Sequence, residues 1–239
     1  MEALPLVYEK PKTSYSKPRR DRGEWVAEHL RTGVFIGRYV PGQRLVEADL
    51  TAELGVSRNL LRETFRQLSA EGLIEIIPNR GALVRRLSIV EAMELFTIRM
   101  ELESLAARLA AQNCADRQAR GQFEKEIGEI WSDEQRASTT EYIAENQRFH
   151  TAMFRASGNH QLNKLNNQLQ LSLIMAQIMP SLTLDVINIS LCEHRKIAEA
   201  ILSGDVERAD QTSRAHLARA RDMVESMPPE TFRRVDQQS

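Results

Sequence analysis

The chain is short of the features that identify secreted, membrane and common enzyme folds. It holds two cysteines in 239 residues, Cys114 and Cys192, with no CxxC pair. A disulfide scaffold is thereby excluded, and a reducing compartment fits better. Cys192 stands beside Glu193 and His194, yet a lone cysteine next to a histidine is ordinarily core filler. No apolar run is long enough to span a bilayer. The N-terminus shows no uninterrupted apolar segment before a cleavage site, so no signal peptide is expected. No segment repeats with a fixed period. HExxH, the Walker loop, GxSxG and the dinucleotide fingerprint are all missing. Neither sign of charge dominates, the formal net charge being −1.

What is present is uneven. The length suggests two domains. Residues 1–87 carry 15 Lys+Arg against 11 Asp+Glu, whereas the remainder carries 17 against 22. A front half at +4 and a back half at −5 suit a front half that meets a polyanion. Residues 1–20 hold Pro5, Pro11 and Pro18 among five basic side chains and read as a flexible basic arm. Helical spacing follows from about Arg22 to Thr32, with a turn at Pro41-Gly42. A second helix covers Val46 to Leu54 and stops at Gly55. Ser57 caps a third, which runs to about Ala70 with Gly72 just beyond it. Leu73–Ile77 and Ala82–Arg86 read as a hairpin with Asn79-Arg80-Gly81 at its tip.

From Ser88 the strand patterns cease. Ser88 and Glu91 form a capping box that opens a long helix to about Gln112. Helical patterns follow at 116–136, 140–157, 160–179, 184–203 and 205–226. The fold class expected is mainly α. A winged helix-turn-helix with a small β-hairpin wing occupies 21–87, an all-α bundle of about six helices occupies 88–227, and 228–239 is a flexible tail.

Two short helices at a tight turn, followed by a hairpin, are the parts of a DNA reader whose second helix lies in the major groove. Its N-terminal residues, Ser57, Arg58 and Asn59, would reach base edges. Arg62 and Arg66 continue the stripe at i+4 and i+8. A guanidinium can fork onto guanine or grip a phosphate. Arg80 and Gly81 at the wing tip suit a phosphate or minor-groove contact. The competing reading is a solvated arginine face paired with Glu63 and Glu71.

The back half places Asn146 and His150 one turn apart on a stripe with Ile143 and Met153. His194 follows Ile187 and Leu191 at inward spacing, and His216 lies between Ala209 and Met223. Three histidines and an amide thus point into one core from three helices. Each buried ring needs a partner, and one divalent metal satisfies all three. Zinc and nickel come first, with iron, cobalt and manganese behind them.

The segment PGQRLVEADLTAELGVSRNLLRETFRQLSAEGLIEIIPNRGALV resembles the N-terminal domain of the GntR family of bacterial transcription regulators. LSIVEAMELFTIRMELESLAARLAA resembles the start of the FadR-type, or FCD, effector domain. The resemblance spans Arg22 to about Met227. It implies that the SR and RE arginines, Arg58 and Arg62, contact operator DNA, with a wing contact near Arg80-Gly81. Many members have an arginine early in the second helix where Ala48 stands here. The family's metal motifs fall on Asn146–His150, on His194 in CEHRKI and on His216 in AHLARA. Many relatives have Asp at the Asn146 position. An amide there implies weaker metal binding and a site charge near +2 instead of +1.

Such a site favours an anionic ligand, so a small carboxylate effector is expected, with Arg99 pairing with a second anionic group. The alternative for Arg99 is an ion pair with Glu103 at i+4. The function expected is an effector-controlled, homodimeric, cytoplasmic and nucleoid-associated transcription regulator, in most such proteins a repressor. It would bind palindromic double-stranded operator DNA. The rival is a helical metalloenzyme with His-ligated metal and an accessory DNA-binding domain, but no carboxylate base stands in a recognisable motif.

Overall fold

The computed structural model describes residues 19–78, 80–131, 139–168 and 171–233. The front half runs α1 (Arg19–Phe35), β1 (Arg44–Leu45), α2 (Glu47–Leu54), α3 (Arg58–Ala70), β2 (Ile74–Ile77) and β3 (Gly81–Val84). Gly55 ends α2 in the left-handed conformation at φ 62°, which a residue without Cβ adopts without strain. The Ser57 hydroxyl then accepts the Leu60 N–H and starts α3. Leu61, Phe65 and Leu68 of α3 are fully buried against α1, which offers Val26, Leu30 and Val34 in return. Each such side chain contributes about 1.5–3 kcal/mol by leaving water.

The wing differs from the expected hairpin. Arg44-Leu45 adds a third strand, giving an antiparallel sheet in the order β1-β3-β2. Two residues are too short for an alternation pattern to reveal, so the pairing is a tertiary feature. Leu45 lies opposite Ala82, and Ile77 opposite Gly81. Gly81 is required by this close approach. A Cβ on it would stand 2.4 Å from the Leu45 carbonyl oxygen, and its φ is 92°.

The back half holds α4 (Ile89–Asn113), α5 (Arg117–Ile130), α6 (Thr139–Ala156), α7 (His160–Gln168), α8 (Leu171–Ile178), a 3-10 turn (Met179–Ser181), α9 (Leu184–Ser203) and α10 (Val206–Glu225). The capping box at Ser88 and Glu91 is formed as expected. α5 ends at Ile130, six residues before the expected 136, because Trp131 leaves helical geometry at ψ 89°. The pattern at 160–179 is described as two helices, with residues 169 and 170 outside the description. Most of the expected basic arm also lies outside it.

One apolar cluster joins the halves. It runs from Val26 and Phe65 through Leu87 to Ile174, Ile178, Val224 and Phe232. A second cluster fills the far end of the bundle around Phe123, Phe149 and Ile201. The tail is not free over 228–233. Phe232 is buried, and the Arg233 N–H donates to the Leu87 carbonyl at 2.9 Å. No helix among the described residues is long and apolar enough to cross a membrane.

At the connection between the halves one side-chain amide clamps Leu87. The Leu87 N–H donates to Gln177 Oε1 at 2.9 Å, and Gln177 Nε2 donates to the Leu87 carbonyl at 3.0 Å. Both residues are buried. Replacing Gln177 by Leu leaves the Leu87 N–H without that acceptor, which costs about 1–3 kcal/mol. Urea unfolding of Gln177→Leu should show a correspondingly lower midpoint, and an unchanged midpoint would remove the clamp from the account.

Candidate DNA surface and metal centre

The recognition face is built by the cap and the periodicity of α3. Its apolar residues turn inward on α1, so Arg58, Asn59, Arg62 and Arg66 are left exposed along one side. Ser57 is exposed too, with its hydroxyl already engaged as the cap. Glu71 pairs with Arg31 of α1, outside this stripe. Arg62 instead donates Nε to Glu47 at 2.9 and 3.0 Å, tying α3 to the first turn of α2. No ion pair holds Arg58, Arg66 or Arg80 among the described residues. Arg80 is exposed at the wing, and its carbonyl accepts from Arg44 Nε at 2.8 Å. Arg44 is thus a cation beside the wing tip that the sequence reading missed. Its signal lay in the strand pairing, not in a motif.

The histidines expected to converge do so. His150 on α6, His194 on α9 and His216 on α10 are all buried. One ring nitrogen from each can be chosen so that all three lie within 4.8 Å of one another. His194 Nε2 and His216 Nε2 are 3.3 Å apart. The His194 ring stacks on Phe149 at 4.4 Å between centroids. Burial, followed by the neighbouring His216 and His150, pushes His194 well below the ordinary imidazole range, so it is neutral with a lone pair to offer. Burial also lowers His216, with Glu193 working the other way.

Two carboxylates stand behind the rings. His216 Nδ1 is 2.7 Å from Glu193 Oε2, and Arg219 grips the same carboxylate from Nη2 at 2.7 Å. His150 Nδ1 lies 2.8 Å from Glu103 Oε2. That contact is close but out of line, and neither atom has a hydrogen-bond partner. Burial opposes charge on Glu103, but His150 and Arg99 outweigh it and hold the carboxyl well below the usual range. Carboxylates on the far nitrogens are the arrangement that orients imidazoles towards a metal. His150 Nε2 and His194 Nδ1 are buried without hydrogen bonds, so the rings leave unspent donor capacity there. The donor set suits a divalent ion that accepts nitrogen ligands, and three histidines leave positions open.

Glu193 was not legible as a ring partner, because only the packing of α9 on α10 brings it to His216. Asn146, one turn before His150, is buried and lines a cleft with it. Arg99 is buried and takes the alternative expected of it, donating Nε to Glu103 at 2.9 Å. It also lines that cleft.

Comparison with known proteins bears on this arrangement. The family description for bacterial regulatory proteins of the gntR family matches residues 23–84, and that of the FCD domain matches residues 94–219. The chain is 34% identical over 188 residues to the probable D-xylose utilization operon transcriptional repressor of Paenarthrobacter nicotinovorans, covering 76% of this chain and 79% of that one. It is 30% identical over 188 residues to the uncharacterized HTH-type regulator YdhC of Bacillus subtilis, covering 78% and 84%. In fold it is similar to E. coli McbR/YncC, with a TM-score of 0.74 at 18% identity over 85% of this chain and 97% of that one. Both halves are matched in order, and the chain therefore belongs to the gntR family of bacterial transcription regulators, with an FCD domain as its helical half.

Proposed function

We propose that the chain is a ligand-responsive repressor that binds palindromic operator DNA as a homodimer. Ser57, Arg58, Asn59, Arg62 and Arg66 would lie in the major groove, with Arg80 and Gly81 of the wing against the backbone. His150, His194 and His216 would hold a divalent metal, zinc or nickel foremost, with Asn146 beside them. When bound, that ion would offer open coordination positions to a small carboxylate effector. Arg99 supports the anionic end from the cleft wall, through the guanidinium it shares with Glu103.

The observation that carries this reading is the buried histidine cluster with unspent ring nitrogens, behind an exposed arginine stripe on a capped helix. The same chain then has a surface for a polyanion and a pocket for a small anion. A ligand regulates only through different affinities for two conformations. The shared apolar core and the Gln177–Leu87 clamp give a physical path between them. The matched families and the named relatives are transcription regulators, which supports the regulator reading over the metalloenzyme alternative.

Three tests follow. Binding to fragments selected from the source genome should be salt-dependent and should be reversed by an organic acid; no preference over random competitor would contradict the reading. Arg58→Ala should lower discrimination among base sequences by about 1–3 kcal/mol if it forks onto guanine. A drop in affinity that is uniform across sequences would assign it to phosphate instead. Adding zinc to metal-stripped protein should raise its melting midpoint, the gain being about 2.7 kcal/mol at a free zinc concentration 100 times Kd. His194→Ala should abolish that rise. An equal rise in the variant would place the ion elsewhere.

A further inference from the structure

Arg62 differs from its neighbours on the recognition stripe. Its Nε donates to both carboxylate oxygens of Glu47, at 2.9 and 3.0 Å. Among the described residues neither terminal nitrogen of Arg62 donates to the protein, and the side chain is 60% exposed. The Glu47 side chain is more shielded, at 23%. It stands in the first turn of α2, where the free N–H groups of a helix start favour a negative charge. The carboxylate is therefore the fixed partner, and the long arginine side chain is the one that is held.

That pairing changes what Arg62 can recognise. A guanidinium and a carboxylate together carry no net charge, so the pair is a weak ligand for phosphate, whose binding is dominated by charge. The free edge of the guanidinium still offers two donors in one plane, the geometry that matches O6 and N7 of guanine. A carboxylate at this place also repels backbone phosphates, which disfavours contacts other than the base edge. α2 supplies no cation to offset it. Residues Glu47–Leu54 contain neither lysine nor arginine, and the first turn carries Asp49 as a second acid. Ala48, between the two acids, is exposed. Arg58 and Arg66, which no ion pair holds among the described residues, keep an uncompensated charge. The turn at Gly55 and the cap at Ser57 fix α2 against α3, so the Glu47–Arg62 pair is set before DNA arrives.

Resting on the proposed operator binding, we infer that Glu47 is a positioning residue for base recognition: it locks the Arg62 guanidinium so that Nη1 and Nη2 read one guanine in each half-site. The pair contributes sequence discrimination and little general affinity. Arg58 and Arg66 are not held in this way, so this reading sets Arg62 apart from them.

The test uses the full chain and the duplexes it selects from a random-sequence library. Each guanine of the selected half-site is replaced in turn, and affinity is read by fluorescence anisotropy over a range of salt concentrations. One replacement should weaken binding by the unaltered chain about tenfold. Arg62→Ala should lose that difference while other positions are still discriminated and the slope of log affinity against log salt is unchanged. Glu47→Gln should shrink the same difference severalfold, with affinity for random duplex held or raised. Glu47→Asp, which keeps the charge but not the reach, should shrink it too, separating position from charge. A guanine preference kept in full by both Glu47 variants overturns the positioning role. A fall in affinity for Arg62→Ala that is uniform across sequences, with the salt slope reduced by about 0.9, assigns Arg62 to a phosphate and overturns it as well. Selection of a site in which no guanine depends on Arg62 overturns this inference alone. If the unaltered chain selects no sequence over random competitor, the operator reading falls and this inference falls with it.

Discussion

The structure turns on keeping three imidazoles buried and close together. A buried, uncharged histidine is tolerable only if each ring nitrogen has something to bond. Here Glu103 and Glu193 occupy one side of two rings, and Phe149 covers the third. One nitrogen from each ring lies within 4.8 Å of one from each of the others, and His150 Nε2 and His194 Nδ1 have no hydrogen-bond partner. Hydrophobic packing at the far end of the bundle fixes the helices that carry them, so the rings cannot easily turn outwards. A cluster of this kind costs stability by itself, and a cation that accepts nitrogen ligands offsets that cost.

The second constraint is the absence of a loose linker. The chain passes from wing to bundle through Arg85-Arg86-Leu87, and every residue of that passage is held. Arg85 and Arg233 both pair with Glu91, Arg86 donates to the carbonyl of Thr231, and Leu87 is clamped by Gln177. Glu91 accordingly sits at about 2: burial opposes its charge, and the Ser88 N–H with Arg85 and Arg233 outweighs burial. With α8 packed against α1 as well, the two halves share a core instead of meeting across water. No flexible segment separates the bundle from α3 along this passage.

Much of this was readable from residue order. Gly55 and Ser57 announce the turn and the cap, and the i, i+4, i+8 arginines announce an exposed stripe because Leu61, Phe65 and Leu68 claim the other face. The inward positions of His150, His194 and His216 followed from helical spacing alone. What stayed hidden depends on non-local packing. The two-residue strand at Arg44-Leu45 has no period of its own and exists through its pairing with β3. Arg99 and Glu103 were legible as an i, i+4 pair, but the approach of Glu103 to His150 needs α4 against α6. Glu193 reaches His216 across 23 residues of sequence. The tail misled for the same reason: Pro228-Pro229 reads as a frayed end, yet Phe232 finds the shared core.

The central claim is that these three rings form a binding site for a divalent ion and are not merely a buried polar cluster. X-ray absorption at the zinc edge of the reconstituted protein tests it most directly. The account predicts a first shell containing three imidazole nitrogens at about 2.0–2.1 Å, with oxygen ligands completing it. A spectrum of fully hydrated zinc, or one with no imidazole scattering, would contradict it.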